Sequence, residues 1–168
     1  LREAFRYARK AVMERAVPTP REVECAVLGN DDPVASVVGE IVPTGHEFYD
    51  YTAKYLDVDG ARLQIPADLK PDVAQRIQRM AVAAFRAIDC AGMARVDFFV
   101  QGDGLDPGDV WLNEINTIPG FTSISMYPKL WEASGLAYPE LIERLLDLAV
   151  ERHEAERRKS TGARELNS

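Results

Sequence analysis

Apolar residues recur along this chain at two periods. In the first part, the β-branched runs KAVMERAV (10–17), REVECAVLGN (21–30) and PVASVVGEIV (33–42) are parted by Pro-Thr-Pro and by Asn30-Asp31-Asp32-Pro33, which predicts three strands with tight connections. ARLQIPA (61–67) predicts a fourth, short strand. Pro71 then opens a helix whose apolar positions Val73, Ile77, Met80, Ala81, Ala84 and Ile88 follow helical spacing. ARVDFFV (94–100) and DVWLNEIN (109–116) read as strands joined through QGDGLDPG (101–108), a hairpin connection that pairs them antiparallel. A short helix follows near Lys129–Ser134. A longer one runs from Pro139 to about Arg152, with Leu141, Ile142, Leu145, Leu146 and Ala149 on one side. Strands followed by helices predict an α+β layered fold with a mixed or antiparallel sheet flanked by helices.

Three stretches break the pattern. Residues 43–60 and 117–128 lack a period and read as loops, the first being long enough to suggest a functional role. From 153 to 168 the chain has too little apolar content to pack and is expected to be a disordered tail. No Pro/Gly/Ser-rich linker divides the rest, so the domain boundary is expected inside the first loop, giving units 1–47 and 48–152. Leu1, Ala4, Phe5 and Ala8 share one face of a short helix that has no N-cap before it, which suggests the C-terminal portion of a longer protein.

Composition narrows the function classes. With 46% apolar and 28% charged residues, the 168-residue chain matches a soluble protein of one domain or parts of two. A net charge of -7 and a pI near 4.9 argue against nucleic acid as a partner, since a duplex-binding face needs clustered Lys and Arg. No apolar run approaches the roughly 20 residues that span a bilayer, and no signal-peptide pattern opens the chain, so it reads as cytosolic without a membrane partner. Cys25 and Cys90 lie in apolar segments without CxxC spacing and read as buried thiols. His46 and His153 form no cluster.

The chemistry lies on the predicted hairpin. Residues at i and i+2 of a strand share a face, so Arg95 and Asp97 project together, as do Glu114 and Asn116. Two carboxylates and an amide oxygen form an oxygen-only donor set suited to Mg²⁺ or Mn²⁺ and poor for zinc. Magnesium so held commonly shares its remaining positions with substrate phosphates, which points to phosphoryl transfer, with Arg95 offsetting developing charge. A structural ion pair on a solvated sheet face fits the same residues. The adjoining TIPGFTSISMYP (117–128) favours the metal reading: Pro119-Gly120 lets a backbone N–H approach a ligand, and Thr122, Ser123 and Ser125 offer hydroxyls.

REVECAVLG (21–29), FYDYTAKYL (48–56), GMARVDFFV (92–100), NEINTIPGFTSISMYP (113–128) and the spacing between them resemble the C-terminal half of D-alanine:D-alanine ligases of the ATP-grasp superfamily, over about residues 10–150. The resemblance implies Asp97, Glu114 and Asn116 as ligands of two Mg²⁺ ions on the ATP phosphates. It implies Arg95 and the Gly120 N–H as stabilisers of a tetrahedral intermediate, and Ser125 with the backbone at Met126 as holders of the second D-alanine's carboxylate. Glu14, Val17 and Glu22 match adenine or ribose contacts, although ERAVPTPRE is one residue longer than the usual hinge. Phe48 is placed near the adenine and Lys54 on an ATP phosphate, while Tyr55 helps close the site; Tyr49, Tyr51 and Tyr55 also read as packing residues. Lys54-Tyr55 resembles the dipeptide-forming rather than the depsipeptide-forming ligases.

The implied reaction joins two D-alanines through an acyl phosphate, for peptidoglycan precursor synthesis in a bacterial cytoplasm, in a full-length protein for which a homodimer is an option. In the family, an N-terminal domain with a D-alanine-binding glutamate, a Gly/Ser-rich phosphate loop and two lysines precede such a segment. These 168 residues alone are therefore expected to be inactive. Two alternatives stand beside this reading: another ATP-grasp carboxylate–amine ligase, and a non-catalytic binding remnant of the fold.

Overall fold

The strands expected from residues 21–42, 61–67, 94–100 and 109–116 all form, and they join a single sheet. The computed structural model describes residues 2–43 and 61–165. It contains β1 (Arg21–Gly29), β2 (Val34–Pro43), β3 (Ala61–Gln64), β4 (Gly92–Val100) and β5 (Val110–Asn116), in spatial order β3-β2-β1-β4-β5. Every pairing is antiparallel. Helices α1 (Ala4–Tyr7), α2 (Pro71–Ala87), α3 (Met126–Ala133) and α4 (Tyr138–Glu165) complete the α+β arrangement. None of the helices in the described residues is long and apolar enough to cross a membrane. The expected domain boundary lies outside the described residues, and strands from both sides of it share this sheet.

Side-chain alternation divides the sheet into two faces. Val23, Cys25, Val27, Val96, Phe98 and Val100 point to one face, where Val73, Ile77, Ala81 and Phe85 of α2 cover them. The stripe departs from the sequence expectation at its end. The helix stops at Ala87, so Ile88 becomes its half-exposed C-cap residue and Phe85 fills the core. Opposite, α3 and α4 bury Ala26, Leu28 and Ile41 beneath Tyr127, Leu130, Trp131, Leu141 and Leu148. Gly39 makes that contact possible: a Cβ there would stand 2.9 Å from Leu130 Cδ2 and 3.1 Å from Met126 Sδ. The buried Tyr127 hydroxyl donates to the Val27 carbonyl at 3.1 Å, tying α3 to the central strand.

Three expectations are corrected. Residues 10–17 form no strand; they run as an exposed segment in which Val12 and Met13 are about four-fifths exposed. Only two of its eight residues, Val12 and Val17, are β-branched, and the exposed Val12 and Met13 find no core to pack against. The last helix does not end near Arg152 but continues through Glu165, so the described part of the expected tail is helical. Good helix formers and i,i+4 pairs, Arg152–Glu156 at 3.1 Å and Glu154–Arg158 at 3.8 Å, support it. Within α4 the buried stripe is Leu141, Leu145 and Leu148, while Ile142 and Leu146 face outward.

Cys25 is fully buried, as expected, whereas Cys90 is only partly so. Burial pushes the Cys25 thiol from its ordinary 9.0 up to about 12. Between those values the unfolded chain releases a proton that the folded chain keeps, so this group's contribution to stability falls as pH rises above about 9. At pH 8, a thiol reagent is expected to modify Cys90 in the native protein and Cys25 only after unfolding. Native labelling at Cys25, read by peptide mass, would contradict that burial.

Candidate active site

Among the described residues, helices α3 and α4 lie over one end of the second face, and beyond them β1, β4 and β5 present polar residues. Strand register sets the arrangement. Glu24 pairs with Asp97, which pairs with Glu114, making a row of three carboxylates across three strands. In the next row Ala26 pairs with Arg95 and Arg95 with Asn116. The first row starts at Gly39, the residue under Met126 of α3, because Gly39 pairs with Glu24.

A β-bulge keeps this face consistent. Asp97 pairs with Glu114 but Phe98 pairs with Leu112, leaving Asn113 as the extra residue. Glu114 and Asn116 thereby stay beside Asp97 and Arg95, and Trp111, opposite Phe99, joins the same face. Phe99 and Trp111 form an apolar shelf at the edge of the carboxylate row.

Arg95 is the hub. Its Nε donates to Asp97 Oδ1 at 2.8 Å and its Nη2 to Asp97 Oδ2 at 2.7 Å, a bidentate pair. The same Nε stands 3.0 Å from Glu24 Oε2. Side-chain exposures of 12% for Arg95, 9% for Asp97 and 4% for Glu24 show that the trio is largely removed from water. Burial opposes the charge on Arg95, but its hydrogen bonds to Asp97 and the fields of Glu24, Asp97 and Glu114 outweigh it and raise its pKa. Glu114, on the edge strand, is exposed.

The loop after β5 is built around Ser125. Its Oγ accepts from the Thr122 N–H at 3.1 Å and lies 2.8 Å from Thr122 Oγ1, and its own N–H donates to the Thr122 carbonyl at 2.9 Å. A Cβ on Gly120 would come within 3.1 Å of the Ser125 Oγ, so glycine lets the two lie in contact. Ser125 holds the N-cap position of α3 yet makes no side-chain cap bond, which leaves the first N–H groups of the helix available to an anion. Phe121 anchors the loop on Tyr127 and Tyr138, with ring centroids 6.0 and 5.4 Å apart.

The structure thus brings Arg95, Asp97, Glu114 and Asn116 together, and separately joins Gly120 to Ser125. Glu22 lies on the same face, one pair beyond Glu24, opposite Phe99. Val17 lines a cavity of about 170 Å³ with Arg15, Pro18, Gln101 and Trp111, while Glu14 lies in the exposed segment before β1. Phe48, Lys54 and Tyr55 lie outside the described residues. The sequence reading missed Glu24, Phe99 and Trp111. Alternation with Glu22 marked Glu24 in principle, but its nearness to Asp97 depends on strand order.

A family model for the D-ala D-ala ligase C-terminus matches residues 1–147. The chain belongs to the D-alanine–D-alanine ligase family. It is 61% identical over 150 residues to a D-alanine–D-alanine ligase of Acetivibrio thermocellus, covering 89% of this chain and 38% of that protein. A solved D-alanine-D-alanine ligase from Coxiella burnetii superposes with a TM-score of 0.72 at 45% identity, covering 91% of this chain and 38% of the other. A Bacillus anthracis D-alanine–D-alanine ligase solved in complex with ATP aligns at 26% identity and TM-score 0.64, over 83% of this chain and 43% of that one. The chain therefore spans about two-fifths of the length of these ligases, and its sheet is part of an ATP-grasp fold.

The donor set of a D-alanine–D-alanine ligase site can be weighed on these residues. No group of three or more His, Cys, Asp or Glu able to hold a metal exists among the described residues. Two facing carboxylates with an amide oxygen, Glu114 being exposed, nevertheless fit magnesium, which takes one or two carboxylates and leaves its other positions to water and phosphates.

Proposed function

We propose that the protein carrying this chain ligates two D-alanines to D-alanyl-D-alanine at the expense of ATP, in the bacterial cytoplasm, for peptidoglycan precursors. One observation carries the reading: in a chain of this family, the register sets Arg95, Asp97, Glu114 and Asn116 side by side on one face of the sheet.

Asp97, Glu114 and Asn116 hold two Mg²⁺ ions, with Mn²⁺ as a substitute. Bound there, the metal neutralises charge on the ATP phosphates. One D-alanine carboxylate takes the γ-phosphoryl group, giving an acyl phosphate and ADP; the second D-alanine's amine then displaces phosphate. Arg95 and the Gly120 N–H stabilise the oxyanion of that displacement. Ser125 and the Met126 N–H, at the uncapped start of α3, receive the second carboxylate. Val17 and Glu22, beside the Trp111–Phe99 shelf, suit the nucleoside, with Glu14 and Phe48 completing its contacts. Lys54 reaches a phosphate and Tyr55 helps exclude water from the acyl phosphate.

The complete protein, given ATP, magnesium and D-alanine, is expected to release ADP, followed by a coupled assay; these 168 residues alone are expected to release none. Turnover with another amino or hydroxy acid but not D-alanine would reassign the substrate within the superfamily.

A further inference from the structure

Helix α3 is short, yet directional bonds fix it to the sheet at both ends. Near its start the buried Tyr127 hydroxyl donates to the Val27 carbonyl of β1 at 3.1 Å. At its other end Ser134, the C-cap residue, accepts from the Val37 N–H of β2 at 2.9 Å and donates to the Leu130 carbonyl at 2.7 Å. A second bulge makes that partner available. Cys25 pairs with Val38 but Val27 with Ala35, so Ser36 and Val37 lie opposite Ala26 alone. The Ser36 hydroxyl mends the ladder there, accepting from the Ala26 N–H at 3.0 Å and donating to the Val37 carbonyl at 2.7 Å. The Val37 N–H goes to Ser134.

Packing alone would not hold α3 to one position. Between the two anchors its contact with the sheet is apolar, with Met126 and Leu130 over Gly39, and apolar burial has no preferred direction. Hydrogen bonds tolerate only a narrow range of length and angle. With one bond on β1 and another on β2, this eight-residue helix can neither slide along its axis nor turn about it without breaking one of them. What depends on its position is the helix start. Gly39, beneath Met126, begins the cross-strand row Gly39, Glu24, Asp97 and Glu114, so the seat of α3 also sets how Ser125 and the Met126 N–H stand relative to the reacting residues.

We propose that Ser134 and Tyr127 are positioning residues for the second D-alanine: their hydroxyls lock α3 on β2 and β1, and so hold Ser125 and the Met126 N–H where the amine of that substrate meets the acyl phosphate. This rests on the reading of the start of α3 as the receiver of the second carboxylate. Neither hydroxyl touches substrate. That of Tyr127 is turned to β1, and Ser134 lies at the far end of the helix, about 12 Å from its start.

The test uses the complete protein with Ser134→Ala, Ser134→Thr and Tyr127→Phe. Rate against D-alanine concentration separates a KM for each D-alanine, and is measured beside KM for ATP and thermal unfolding. In Ser134→Ala and Tyr127→Phe the KM for the second D-alanine is expected to rise about tenfold, part of the roughly hundredfold loss that a misplacement of about 1 Å produces. The KM values for the first D-alanine and for ATP are expected to stay within twofold of wild type. Ser134→Thr, which keeps the hydroxyl on an exposed residue, is expected to restore the second KM. The unfolding temperature is expected to fall further in Tyr127→Phe, whose bond is buried, than in Ser134→Ala. An unchanged second KM, failure of threonine to restore it, equal losses for both D-alanines and ATP, or a second KM that merely tracks the unfolding temperature would each overturn the proposal. A wild-type protein inactive with D-alanine would overturn the ligase reading and the proposal together, whereas an active wild type with unaffected variants overturns the proposal alone.

Discussion

Arg95→Ala is expected to cost about 3–5 kcal/mol of stability, the range seen when one partner of a buried ion pair is removed. The expectation follows from what the substitution leaves behind. Glu24 and Asp97, at 4% and 9% side-chain exposure, would face each other across β1 and β4 with the cation between them gone. Urea unfolding reads the effect as a lower midpoint at an unchanged denaturant slope. Arg95→Lys is expected to recover only part of the loss, because an ammonium cannot reproduce the bidentate contact with Asp97. Adding Glu24→Gln to Arg95→Ala is expected to recover more, by removing one of the two stranded charges. A loss below about 1 kcal/mol, the value typical of exposed pairs, would mean that water reaches these groups and that the trio is a surface network.

The same residues show how far a sequence discloses a site. Arg95 with Asp97, and Glu114 with Asn116, were legible because strand alternation is local: two residues apart means one face. Bringing the two pairs together needed only the hairpin, which the Gly- and Asp-rich connection announced. Glu24 was not legible in the same way, since its neighbour Asp97 lies 73 residues away and becomes adjacent only through the order β3-β2-β1-β4-β5. The misread strand at 10–17 has another origin: apolar content permits a strand, but burial against a core fixes one, and this segment stays exposed. In the helices, spacing gave Val73, Ile77 and Ala81 correctly. The turn on which a helix stops then chose Phe85 over Ile88, and the core on the sheet's second face took Leu148 rather than Leu146. The loop's chemistry was visible as PGFTSIS, yet the contact between Gly120 and Ser125 came from the fold of the loop.

Glu114→Gln is expected to separate chemistry from folding most sharply. Glu114 lies exposed on the edge strand β5, and glutamine keeps its length and one oxygen, so the unfolding midpoint is expected to stay at the wild-type value. What changes is the charge opposite Asp97. Magnesium held by few protein ligands depends strongly on each carboxylate, and the charge it offsets is greatest as the phosphoryl group transfers. In the complete protein, turnover with ATP and D-alanine is therefore expected to fall about a thousandfold, or ~4 kcal/mol of transition-state stabilisation. Raising the magnesium concentration is expected to recover part of it, as mass action refills a weakened site. A fall of less than tenfold would remove Glu114 from the ligand set and leave Asp97 and Asn116 too few to hold the cation. Loss of stability alongside activity would show that the edge strand depends on Glu114 for structure, which its exposure argues against.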